Sequence, residues 1–397
     1  MPFDRGRHFL AIPGPSVIPD EVLRAMHWPA VNIYEGPLID LTYSLFPDLK
    51  RIVGTEGEAF IYISNGHGAW EAVLANLFSG GESVLVLESG RFAPGWGEIA
   101  TAMGVEVETL HAPKRCGVDP DAIEARLRED HGHSIKAVLV VQIDTASGVW
   151  NDVAAIRRAM DAAGHPALLL VDCIAATGCV RYAMDDWGVD VTVSACQKGL
   201  MTPPGLGFVF ANEKAMAAHN ANGCRGIYWD WSPRAKPDYY YKLFAGTAPV
   251  QHLYGLRQAL DMINDEGLEA VYRRHRMIAG GVRAAVEHWG RGGPIELNVL
   301  DPRARSDAVT TILTGEIDSD GLRGLCETEL GVTLGIGLGT VFGQTENAFR
   351  IGHMGHVNPP MILGTLASVE LALTRMGAPF ESGGVEAAAS AMAKDGT

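Results

Sequence analysis

Lys198 stands in Ser194-Ala195-Cys196-Gln197-Lys198-Gly199-Leu200, just past an apolar run, and 26 positions upstream another apolar run ends in Leu170-Val171-Asp172. A lysine amine held in constrained surroundings condenses with a carbonyl to give an activated imine and, once released, acts as a general base. An ionised carboxylate at a buried strand end is costly without a cationic partner, and a protonated ring nitrogen is such a partner. An amine for a Schiff base and a carboxylate for a pyridinium are together what pyridoxal 5'-phosphate asks of a protein. A solvated surface lysine and a simple turn aspartate are the plainer readings. The Gly199 and Pro203-Pro204-Gly205 segments after Lys198 argue instead for a constrained setting.

Other residues extend the same chemistry. Ser64-Asn65-Gly66-His67-Gly68 follows an expected strand at 59–63 and precedes an expected helix at 69–78. Glycines there let a ligand approach the backbone, and free N–H groups at a helix start favour a phosphate, so Asn65, Gly66 and His67 are candidates to hold one. Such turns also occur without any ligand. Phe92 can stack on a ring or simply pack in the core. Thr145, in Asp144-Thr145-Ala146-Ser147-Gly148, can reach a phenolic oxygen or serve only its turn. Arg350, in Phe349-Arg350-Ile351-Gly352, is an arginine inside an apolar run. It requires an anion, which is either a substrate carboxylate gripped through two N–H groups or an internal acid.

Three patterns are set aside. His353 and His356 lack a third ligand at suitable spacing, so no metal is expected. The run Gly335-Ile336-Gly337-Leu338-Gly339 does not fit a dinucleotide fingerprint. Six cysteines contain no C-x-x-C pair and are expected as reduced packing residues.

These residues need a scaffold that gathers them. Apolar β-rich runs at 83–88, 137–143, 167–172, 189–194 and 207–211 alternate with helical patterns at 69–78, 95–103, 119–129 and 152–163. That alternation predicts an α/β fold, a mostly parallel sheet with helices on both faces. Ligands in such sheets bind beyond the carboxyl ends of the strands, where Glu88, Asp144, Asp172 and Lys198 fall. After about residue 260 the pattern changes to helices at 270–289, 318–330 and 360–375 with strands at 309–313 and 349–351. This predicts a smaller α+β C-terminal domain over 261–397, joined by an N-terminal segment over 1–16, beside a large domain over 17–260. The tail beyond about residue 382 is expected to fray.

The 397 residues suffice for two cores, and 47% hydrophobic with 20% charged residues is the balance of a well-buried protein. A net charge of −15 without a basic run argues against nucleic acid or an anionic membrane as partner. The start lacks a signal-like apolar segment and no stretch is long enough to span a bilayer, so a cytoplasmic location is expected.

Together the motifs resemble the class V, fold type I pyridoxal phosphate aminotransferases, within them the group that uses glyoxylate as acceptor and serine, alanine or aspartate as donor. The resemblance spans nearly the whole chain, through Ile12-Pro13-Gly14-Pro15-Ser16, Ser64-Asn65-Gly66-His67-Gly68-Ala69-Trp70-Glu71, Thr145-Ala146-Ser147-Gly148-Val149, Leu170-Val171-Asp172, Gln197-Lys198-Gly199-Leu200-Met201, Pro203-Pro204-Gly205-Leu206-Gly207 and Phe349-Arg350-Ile351-Gly352. It implies a seven-stranded-type sheet in the large domain. It also implies that Lys198 is the Schiff-base lysine, Asp172 meets the pyridine nitrogen and Phe92 occupies the stacking position. Thr145 and Gln197 would contact the cofactor, Asn65, Gly66 and His67 its phosphate, and Arg350 the substrate carboxylate. Thr247, in Gly246-Thr247-Ala248-Pro249, matches a threonine that reaches the phosphate of the neighbouring subunit, which implies a homodimer with shared active sites.

Two departures stand out. Relatives often carry tryptophan where this chain has Phe92, and some carry tyrosine where it has Phe244. The expected reaction is a ping-pong transamination from a small L-amino acid to glyoxylate. A cysteine desulfurase using Cys326 is a rival, weakened because Cys326 sits in a helical pattern rather than a Ser/Gly-rich loop. A non-catalytic cofactor binder is another, and a nicotinamide dehydrogenase a weaker third. An aspartate donor requires a second cation, for which Arg91 and Arg225 are candidates.

Overall fold

The computed structural model describes residues 6–224, 226–339 and 347–395. Strands in chain order are β1 (Phe9–Ala11), β2 (Glu58–Ser64), β3 (Ser83–Glu88), β4 (Glu106–His111), β5 (Ile135–Val141), β6 (Leu168–Asp172), β7 (Val191–Ala195), β8 (Gly205–Ala211), β9 (Glu296–Leu297), β10 (Val309–Leu313), β11 (Val332–Ile336) and β12 (Ala348–Gly352). The helices are α1 (Asp20–Met26), α2 (Pro37–Val53), α3 (Gly66–Leu77), α4 (Phe92–Ala102), α5 (Pro120–Glu129), α6 (Val153–Ala162), α7 (Glu213–Asn222), α8 (Ser232–Ala235), α9 (Val250–Glu266), α10 (Leu268–Trp289), α11 (Ser319–Leu330), α12 (Pro359–Met376) and α13 (Gly384–Asp395).

Among the described residues two sheets form. The first has seven strands in the order β2-β8-β7-β6-β5-β3-β4, parallel except at β8, which runs against both β2 and β7. Two reversals leave β2 pointing the same way as β7, so the carboxyl ends of β2, β3, β5, β6 and β7 share one edge. The central strands are buried on both faces and read as continuous apolar runs, as parallel strands between helical layers must. Alternate side chains separate into two cores: Leu85, Val138, Val140, Leu169 and Val171 on one side, Val84, Val86, Leu139, Leu168 and Leu170 on the other. The α/β expectation holds. The patterns missed β4, whose residues are partly exposed and mostly polar, the strands β1, β9 and β11, and the helices α1, α2, α7, α8 and α9.

The second sheet orders β1-β11-β12-β10-β9, antiparallel except where β1 lies along β11. The N-terminal strand therefore completes a sheet formed otherwise by the last third of the chain, packed on α10, α11 and α12 around Val286, Trp289, Phe349 and Leu366. The helix α9 runs unbroken through residue 260 and packs on α1 and α2. One expectation fails: the tail does not fray. Residues 384–395 form α13 against α10, burying Ala388 and Met392, because alanine and methionine at helical spacing supply an apolar stripe. No helix among the described residues is long and apolar enough to cross a membrane.

Candidate active site

A cavity of about 310 Å³ opens at the shared carboxyl edge of the large sheet, and Asn65, Gly66, His67, Phe92, Thr145, Asp172, Gln197 and Lys198 all line it. Each arrives by a different route. Asn65 follows β2 and caps α3, its side chain accepting the N–H of Gly68. The first N–H groups of a helix lack intrahelical acceptors, so Gly66 and His67 leave donors at the cavity wall. Phe92 begins α4 after β3, Thr145 follows β5, Asp172 ends β6, and Gln197 and Lys198 follow β7.

Lys198 is fixed by the N-terminal segment that leaves β1. Its Nζ donates to the carbonyl of Pro13, while the Ser16 hydroxyl donates to the Lys198 carbonyl at 2.6 Å and the Ser16 N–H to that of Gln197 at 2.9 Å. Gly14 has φ +106°, and a Cβ there would run into the lysine side chain, so only glycine fits. Burial first, then the positive charge of Arg350, lowers the amine to about 8. The unprotonated amine, the form that attacks a carbonyl, is thus far more populated near neutral pH than in an ordinary lysine.

Asp172 is 4% exposed. Its Oδ1 accepts the backbone N–H of Ile174 at 2.7 Å and its Oδ2 the indole N–H of Trp70 at 2.8 Å. Desolvation pushes it up to about 7 against these two donors and the Lys198 charge. A carboxylate so placed is suited to a cationic ring nitrogen that would restore its charge. The Oε1 of Gln197 is buried with no protein partner, an acceptor left for a ligand. Amine, acid, helix-start donors and this unpaired acceptor around one cavity fit pyridoxal phosphate.

A second carboxylate organises the walls. Asp144, fully buried, accepts the N–H of Phe92 at 2.7 Å through Oδ2, and those of Ala146 and Ser147 at 2.9 and 3.0 Å through Oδ1. It ties the start of α4 to the Thr145 turn, and Gly90 leaves it room, since a Cβ there would overlap its carboxyl group. In the sequence Asp144 stands only as an acid after a strand, with no role marked. Its signal was an acid beside a Thr-Ala-Ser-Gly turn.

Arg350, on β12, approaches from the small sheet. Its Nε donates to the Ile336 carbonyl at 2.6 Å and its Nη1 to that of Thr145 at 2.7 Å. Among the described residues no carboxylate lies within ion-pair distance, and burial lowers its guanidinium to about 10. The internal acid weighed as its partner is not found there. Thr247 is exposed and does not line this cavity. Phe244 is a buried core residue. Arg91 lies on the outer side of Phe92, in a neighbouring depression with Glu98, and Arg225 lies outside the described residues.

Cys326 is buried on α11, its thiol pushed up to about 12 by desolvation and facing the Ser368 carbonyl. It is remote in character from the exposed nucleophile that a desulfurase requires. His353 is buried between the Thr310 hydroxyl and the Asp307 carbonyl, whereas His356 lines a separate groove beside the N-terminal segment. The glycine run at 335–339 begins within β11, where Gly335 lets Pro13 pass over the strand.

A parallel sheet with an amine and an acid at its carboxyl edge defines a fold type I pyridoxal phosphate enzyme. The family described as aminotransferase class-V matches residues 47–354, and the chain belongs to it. It is 38% identical to serine–glyoxylate aminotransferase of Methylorubrum extorquens, over 98% of this chain and 97% of that one. It is 36% identical to L-aspartate–glyoxylate aminotransferase of Paracoccus denitrificans, over 95% and 94%. Among solved structures, pyridoxamine–pyruvate aminotransferase from Mesorhizobium loti superposes with a TM-score of 0.88 at 26% identity, covering the whole of both chains. The protein is a pyridoxal phosphate-dependent aminotransferase.

Proposed function

We propose that this enzyme moves the amino group of a small L-amino acid, serine, aspartate or alanine, to glyoxylate to give glycine, in two half-reactions that alternate at one site. The observation that carries the reading is the single cavity in which Lys198 and Asp172 meet the open helix start at Asn65, Gly66 and His67. The serine– and aspartate–glyoxylate aminotransferases among its relatives support glyoxylate as acceptor.

Bound pyridoxal phosphate supplies an aldehyde that exchanges amines and a ring that accepts electrons when a Cα–H bond breaks. In our reading Lys198 would hold that aldehyde at rest, and its amine, once free, would move the proton from substrate Cα. Asp172 would hold a proton on the ring nitrogen, and Phe92 would pack against the ring face. The N–H groups of Gly66 and His67, with Asn65, take the phosphate, while Thr145 and Gln197 meet the ring's polar edge. Arg350 exchanges a carbonyl contact for the substrate carboxylate, aligning the bond to be broken. We further propose a homodimer in which Thr247, exposed on its own subunit, completes the partner's phosphate site. In the same reading, residues 17–260 carry the cofactor, and residues 261–397 with the segment 1–16 carry the substrate side.

The test is a half-reaction screen of the holoenzyme with serine, alanine and aspartate separately, following loss of the visible cofactor band, then its recovery with glyoxylate. At least one donor should bleach the band and glyoxylate should restore it. No response to any of the three, or recovery with pyruvate but not glyoxylate, would overturn the reading. Lys198→Ala should lose the band and lower turnover by at least about 10⁴-fold.

A further inference from the structure

Trp70 lies on α3 with 1% of its surface exposed, and a buried indole N–H needs an acceptor. The acceptor it finds is Oδ2 of Asp172, 2.8 Å away and 102 residues distant in the chain. The indole has little freedom to turn from that bond. Trp96 stacks on it at 5.8 Å and 12°, the His67 ring lies 4.6 Å away, and Phe92 meets it edge-on at 6.5 Å. With Ile174 N–H on the other oxygen, both carboxylate oxygens are held by donors from the protein. Both donors favour the charged carboxylate over the acid.

We propose that Trp70 is a positioning residue of the cofactor site, whose indole N–H fixes the plane and charge state in which Asp172 holds the cofactor's ring proton. The proposal rests on the reading that Asp172 meets the ring nitrogen. Trp70 lines the same cavity, and in this scheme it acts on the ring through its bond to Asp172. Its effect passes through Asp172, while the rings of His67 and Phe92 packed on it couple the phosphate end and the stacking face to the same support.

The test uses holoenzyme loaded with pyridoxal phosphate carrying ¹⁵N in the ring, and reads the ring nitrogen's chemical shift against pH. Trp70→Phe keeps most of the packing and removes the donor. The ring nitrogen should then lose its proton at a pH at least one unit lower than in the wild type, cofactor dissociation should rise about tenfold, and kcat should fall with the donor's KM nearly unchanged. Trp96→Phe perturbs the same stack without touching Asp172, since the Trp96 indole N–H has no protein partner, and should leave the titration alone. A Trp70→Phe titration matching the wild type would overturn the proposal. Asp172→Asn separates the two levels: if it too leaves the ring nitrogen unmoved, the Asp172 assignment fails, whereas a shift in Asp172→Asn alone sinks only Trp70. Should Trp70→Phe not fold, ¹⁵N-tryptophan-labelled wild type gives the answer. The indole resonance displaced by Asp172→Asn should move when cofactor is added, and an indole that ignores both changes would count against the role.

Discussion

At Asp172 the chain keeps a carboxylate that burial pushes up to about 7 from its ordinary 3.8, so the cofactor-free protein has a pH dependence of unusual sign. Between those values the folded state holds a proton that the unfolded state has released, and stability falls as pH rises through the window. Asp172→Asn removes this slope. The melting temperature of the cofactor-free variant, relative to wild type, should be higher at about pH 8 than at about pH 5, and a constant difference would contradict the assignment. Arg350 makes the second prediction at this scale. Arg350→Lys keeps a charge but loses the planar fork that reaches two carbonyls and, in our reading, the carboxylate. Losing one charge-assisted bond of about 2 kcal/mol should lower kcat/KM for the donor about 30-fold, chiefly through KM, in steady-state kinetics.

Elements carry these residues only if their ends are built correctly. The cap on α3 is the Asn65 side chain, and without it the helix start that offers Gly66 and His67 loses its shape. Asn65→Ala should cost about 1 kcal/mol of stability by denaturant titration and weaken cofactor binding as well. Unchanged affinity would remove Asn65 from the phosphate site. The helix α13 is held instead by packing. Met392, 6% exposed and lying over Gly281 of α10, should cost about 2 to 3 kcal/mol when changed to Ala, without altering the cavity spectrum.

Over the whole molecule two neutral histidines set an acid limit. His275 donates from Nδ1 to the Val271 carbonyl and accepts the Gly355 N–H on Nε2, so a second proton would face a donor. His353 is likewise placed between the Asp307 carbonyl and the Thr310 hydroxyl. Burial lowers them to about 4 and about 3 from an ordinary 6.5. The unfolded chain takes up these protons first, so stability drops as pH falls below about 6.5. His353→Asn should reduce the proton uptake on unfolding between about pH 4 and 6 by about one, read from the pH dependence of denaturant unfolding.

How much of this was legible in the linear chain follows from which forces are local. Lys198, Asp172, Phe92, Thr145 and the Asn65-Gly66-His67 turn could be picked out because each ends or follows a strand or starts a helix, and period-two and 3.6-residue patterns mark such ends. The sheet and most helices followed from the same periodicities, whereas β4 escaped because a half-exposed edge strand carries no strong apolar pattern. The tail was misread because alanine and methionine look bland until a partner surface is known. The ordered motifs and the resemblance they carry gave the class of enzyme, and strand-end positions singled out Lys198 and Asp172 as candidates for its centre. Only the tertiary structure decided that Trp70 holds Asp172, that Asp144 ties Phe92 to Thr145, and that Pro13 and Ser16 brace Lys198. Those bonds join residues scores of positions apart, where no local propensity acts and the geometry exists only once the large sheet has assembled and, for Pro13 and Ser16, the strand β1 has joined the second sheet.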